Sequence, residues 1–209
     1  MTRAARWLRD CPSSWLTATA TLCCPSCARR VYVYPGAHIE FGGGTHLGPG
    51  FGLIILAGGT FITGKRVEFR RGFRAEIAGD VRTVIGSDSV FTYDVIMQRS
   101  TSIEIGERCV LGQSVDVFEG QSRLHGLGSS MLGQGHALDS VTIANDVSVG
   151  SKATVMASLG ERAGVAAYAV VTRPVPSYSG VAGVPARVTE YFGPPGGEPA
   201  GLVAKGASS

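Results

Sequence analysis

The feature of this chain that most restricts its fold is an apolar residue that returns at every sixth position. The register runs through Val33 and Ile39, Leu47 and Leu53, Val67 and Phe73, then Ile85, Phe91 and Met97. It resumes at Ile105, Leu111 and Val117, again at Ile143, Val149 and Val155, and finally at Leu159, Val165 and Val171. Glycine directly follows six of these residues, at Gly48, Gly86, Gly106, Gly112, Gly150 and Gly160. Such a period is neither helical nor a simple hairpin alternation. It suits a triangular coil in which each hexad is one short strand and one turn, and three hexads bring the chain back over itself. The apolar residue then points inward on every face, and the small residue beside it lets the backbone turn the corner. Stacked coils share parallel pairing at about 4.8 Å per layer, and no coil buries its faces alone. The class predicted is all-β, with aliphatic ladders filling the interior.

Composition agrees with many short strands and tight turns. Glycine contributes 30 of the 209 residues, and only 17% of the chain is charged. A formal net charge of +3 gives no case for nucleic acid as a partner. No apolar run reaches the roughly 18 residues of a membrane-spanning helix, so no membrane span is expected. Arg3, Arg6 and Arg9 precede a stretch diluted by Pro, Ser, Thr and Cys, which lacks the apolar core of a signal peptide. Cys11, Cys23, Cys24, Cys27 and Cys109 are expected to be reduced thiols in a cytoplasmic protein. Cys24 and Cys27 have knuckle-like spacing, but a zinc site needs a second properly spaced pair. No metal is expected.

The chain divides into residues 1–30, with a short helix expected around Thr2 to Arg9, a repeat domain over 31–192, and a flexible tail over 193–209. Residues 119–140 are rich in Gly and Ser, break the six-fold pattern and are expected to protrude as a loop.

After that loop come Val141 to Val155, then a segment ending Pro174-Val-Pro-Ser-Tyr-Ser179, then Ala182-Gly-Val-Pro-Ala-Arg187. These motifs resemble the C-terminal half of the galactoside, maltose and capsular-polysaccharide O-acetyltransferases of the hexapeptide-repeat family. The resemblance covers residues 30–192 and is strongest from Val141 onward. It implies a left-handed parallel β-helix, an exception to the right-handed rule for parallel crossovers, assembled as a homotrimer. It also implies acetyl-CoA as co-substrate, held in the cleft between subunits, and a sugar or other small hydroxylated acceptor. Carried over by position, Gly150 and Ser151 face the thioester through their backbone N–H groups. Ala166 and Ala167 flank the pantetheine arm, Thr172 and Arg173 lie near the adenosine, and Arg187 lies near the phosphates. Close backbone approach needs residues without bulk, and phosphate needs guanidinium or ammonium donors.

The family takes the acceptor proton with a histidine from a loop ahead of the C-terminal motif, a task suited to a near-neutral pKa. His125, 18 residues before Ile143, is the leading candidate here and His136 the alternative; His38 and His46 fall too early in the coil. Where capsular-polysaccharide relatives carry an Asp-His-x-His run, an ungapped reading finds Glu119-Gly-Gln-Ser122. Ser148 replaces a frequent Trp, Glu190 stands where a second basic residue is common, and Val155 to Leu159 is two residues short of a hexad. Two other readings use the same fold. A metal-dependent hydrase would need three converging histidines, which four scattered ones do not supply. A catalytically degenerate trimeric scaffold or binding protein would keep the coils without the base.

Overall fold

A computed structural model of the chain describes residues 20–24, 29–99, 102–118, 121–122, 136–137, 140–199 and 202. The helix expected near Thr2 to Arg9 lies outside them, as do Cys11 and Cys27. Among the described residues no helix is long and apolar enough to cross a membrane.

The chain winds as a three-sided parallel β-helix. A first face stacks strands from Arg29–Val33, Gly52–Ile55 and Arg74–Ile77 through Ile96–Arg99 and Asp116–Phe118 to Thr154–Val155 and Val170–Val171. The second face begins at His38–Phe41 and runs to Val141–Ile143, and isolated parallel bridges carry it on through Leu159 and Val175. The third runs from His46–Leu47 to Ser179–Ala182. Each apolar residue of the hexad register from Leu53 onward is buried, and Val33, Ile39 and Leu47 pack against the same core. Glycine at a corner is required by stacking. At Gly42 any side chain would overlap the Gly64 carbonyl of the next coil, and at Gly86 it would overlap Gly106.

The coils shorten along the axis. Stacked residues are 22 apart in the early coils, 20 apart further on and 16 apart in the last ones. The early coils have four-residue strands on the first two faces, whereas the late coils have two-residue strands. The interior follows this change. In place of a purely aliphatic ladder, the wide coils hold the buried rings of Phe51, Phe61, Phe69, Phe73 and Phe91, with the Phe69–Phe73 and Phe69–Phe91 centroids 4.5 and 4.9 Å apart. The narrow coils are filled by Val, Leu and Ala. The short segment Val155 to Leu159 is accommodated by a tight corner, and Val171 to Val175 repeats it one coil later.

The corner between the second and third faces carries a rail of charge. Arg66, Asp88, Arg108, Asp146 and Arg162 occupy successive left-handed positions there, with φ of 55°, 61°, 55°, 58° and 54°. Arg66 donates through Nε to Asp88 at 2.6 Å, and Arg108 donates to Asp146 at 2.7 Å. Both pairs are bidentate.

Antiparallel strands absent from the hexad register close two sheet edges. Ala20–Cys24 pairs with Arg29–Val33, and Arg187–Tyr191 pairs with Ser179–Ala182. Each covers backbone groups that a parallel edge would leave unpaired. Of the expected tail, residues 193–199 and 202 are described, and the Tyr191 hydroxyl donates to the Pro194 carbonyl at 3.2 Å.

Candidate active site

The late coils turn from the third face to the first at Gly150–Ala153 and Ala166–Ala169, each closed by a backbone hydrogen bond of 3.3 Å across the turn. Lys152 and Tyr168 supply the left-handed third residue, with φ of 60° and 61°. These turns stack. The Gly150 N–H donates to Val165 O at 2.7 Å, and the Tyr168 N–H donates to Ser151 O at 3.0 Å. A side chain at Gly150 would overlap the backbone of Ala166 and Ala167. The small-residue pairs singled out in the sequence, Gly150–Ser151 and Ala166–Ala167, therefore meet on one corner. Because the Gly150 N–H is spent in the ladder, an oxyanion donor from this pair would be the Ser151 N–H.

Arg187 reaches the same corner from beyond the last coil. It pairs in register with Ala182, and the turn between them docks on the first face, where Ala186 N–H donates to Val170 O at 2.8 Å. The Val184–Pro185 bond in that turn is cis. The Arg187 guanidinium is exposed and donates to Ala186 O at 2.9 Å.

Thr172 and Arg173 stand apart from this group, exposed at the opposite edge of the first face. Three residues of extended chain separate Ala169 from Thr172, about 10 Å at ~3.3 Å per residue. Residues 119–140 leave from that same edge, between Asp116–Phe118 on the first face and Val141–Ile143 on the second. At the loop's root Gln121–Ser122 pairs antiparallel with His136–Ala137, with Ser122 opposite His136. The leading base, His125, lies outside the described residues.

Two features here had no signal in the hexad spacing. Lys152 donates to the Tyr168 hydroxyl at 3.1 Å and sits 5.2 Å from the ring centroid, which places an exposed cation and aromatic beside Ser151 and Ala167. Asp116 lies one strand below Thr154 on the outer first face, and desolvation pushes its carboxyl above the usual range. Cys109 is buried inside the coil, and burial pushes its thiol up, so it is packing rather than a nucleophile. Among the described residues no cluster of His, Cys, Asp and Glu could hold a metal ion.

No protein-family model matches the chain. Serine acetyltransferase from Bacillus subtilis is 38% identical over 93 residues, covering 44% of this chain and 40% of that protein. Its counterpart from Mycobacterium tuberculosis is 29% identical over 182 residues, covering 83% of this chain and 69% of the relative. A hexapeptide-repeat containing acetyltransferase from Vibrio cholerae, solved with acetyl coenzyme A, superposes with a TM-score of 0.51 at 24% identity, over 58% of this chain and 66% of that one. In sequence and in fold, this chain resembles the hexapeptide-repeat acetyltransferases. It spans about two fifths of the length of the Bacillus relative. The triangular coil is thus that of a hexapeptide-repeat β-helix, as the six-residue spacing and the motifs predict.

Proposed function

We propose that the protein transfers an acetyl group from acetyl-CoA to a hydroxyl of a small acceptor, working as a cytoplasmic homotrimer. The observation that carries this reading is the stacking of Gly150–Ser151 against Ala166–Ala167 on one corner, with Arg187 beyond it and Thr172–Arg173 across the face. A long cofactor needs such a layout: a wall without bulk for its arm and cations at the end where its phosphates lie. The relatives named serine acetyltransferase favour an amino-acid hydroxyl as one acceptor class, beside the sugars that the C-terminal motifs imply.

The chemistry is a single displacement through a tetrahedral intermediate. A loop histidine, His125 or failing that His136, takes the acceptor proton as the oxygen attacks the thioester carbonyl. The Ser151 N–H faces the oxygen that gains charge. Collapse breaks the carbon–sulfur bond, and the leaving thiolate recovers the proton from the imidazolium.

Replacement of the base tests this. His125→Ala is expected to lower turnover by roughly 10²–10⁴ while leaving the melting temperature and the trimer mass unchanged. The same loss in His136→Ala alone would transfer the role to that residue. A wild type that binds acetyl-CoA but acetylates neither serine nor any of a panel of sugars would favour the scaffold reading.

A further inference from the structure

The outer surface of the first face holds a second site, well below the small-residue corner. Three neighbouring strands put Arg30, Gly52 and Arg74 in register, so two guanidinium groups flank a position with no side chain. A Cβ at Gly52 would lie 3.6 Å from Arg74 Cγ, so the stem of Arg74 leans over the notch. The next outward column is Tyr32, Ile54, Glu76 and Gln98. Together these line an open groove of about 680 Å³, which Ile96 completes on its C-terminal side. Neither Arg30 nor Arg74 has an ion-pair partner among the described residues. Arg66 and Arg70, also in the early coils, are by contrast held by carboxylates.

We infer that this groove binds a small hydroxylated acid. Its carboxylate or phosphate would lie between Arg30 and Arg74, its apolar side on Ile54, Ile96 and Tyr32, and its hydroxyls against Glu76 and Gln98. Two cations against one carboxylate leave the groove an excess of positive charge, and guanidinium forks match either anion. The groove lies four strands below the Ser151 corner, at about 4.8 Å per strand, too far for one small acid to span both, so it is a binding site separate from the acetyl-transfer centre. The binding does not depend on the proposed function.

Calorimetric titration of the full chain tests it. Glucuronate, glucose 6-phosphate and glycerate are compared with glucose and glycerol. At least one acid is expected to bind tenfold or more tightly than its neutral counterpart, and the stronger of the two sugar acids identifies the preferred anion. Arg74→Gln and Gly52→Val are each expected to weaken that acid at least tenfold while leaving acetyl-CoA affinity unchanged. Gly52→Val fills the notch without removing a charge, so it decides the matter should Arg74→Gln fail to fold. Equal binding of acids and neutral compounds, or affinity that survives both variants, overturns the inference. Failure of the wild type to bind acetyl-CoA would overturn the proposed function and leave the acid titration to judge the groove.

Discussion

Thr83 is fully buried on the second face, and its Oγ1 has no hydrogen-bond partner. A buried hydroxyl left unpaired costs stability that an apolar isostere recovers. Thr83→Val is therefore expected to raise stability by about 1 kcal/mol, read as a higher denaturant midpoint at unchanged slope. Thr63, on the adjacent strand and paired with Ile85, behaves differently, because its Oγ1 accepts from the Gly42 N–H at 3.2 Å; Thr63→Val should lower the midpoint. At this scale the sequence was legible wherever burial follows a fixed step. Leu53, Phe73, Met97 and Val117 announce themselves because a single inward position recurs on each side. Phe61 did not, since it occupies an additional inward position that the four-residue strand Thr60–Thr63 supplies, and Phe69, on the ladder of Leu47 and Phe91, lies 22 residues from each, which is no multiple of six. The same holds for Thr83, which sits in an interior register no apolar count would flag. Gly150 and Ala166 were readable from motif, yet that the Gly150 N–H is already engaged follows only from the pairing of one coil with the next.

The charged rail shows what an element adds beyond its residues. Asp88 and Asp146 each lie below the usual carboxylate range, chiefly because Arg66 and Arg108 hydrogen-bond to the ionised form. A carboxyl depressed in the folded state contributes stability above its unfolded value of about 3.9, and that contribution is lost as pH falls through the folded value. The melting temperature should thus drop on acidification below about pH 4, and the double variant Asp88→Asn, Asp146→Asn should show a shallower drop. High salt should reduce the difference between the two at neutral pH, because the rail is exposed to solvent. Nothing in the spacing revealed this element. Its members are separated by unequal intervals of 22, 20, 38 and 16 residues as coil length changes, and only stacking makes them neighbours. The antiparallel end strands were likewise hidden, since their residues obey no hexad rule.

Over the whole molecule, stability should be shared between adjacent coils rather than concentrated in one nucleus. Removing residues 155–170 deletes one complete late coil and joins Thr154 to Val171, which keeps every face in register. That deletion is expected to retain cooperative unfolding and a β-type circular dichroism spectrum, while removing residues 155–160 should abolish both, because it throws the three sides out of step. Early in the chain the interchangeable block is longer, matching the 22-residue spacing there. The shaft therefore has a bore that narrows from a phenylalanine-filled end to one packed with valine and alanine. A segment copied from one end and inserted at the other would meet neighbours of the wrong girth, leaving either a void or a collision. Lengthening of this solenoid by duplication is confined to stretches of equal width, and its two ends cannot be exchanged.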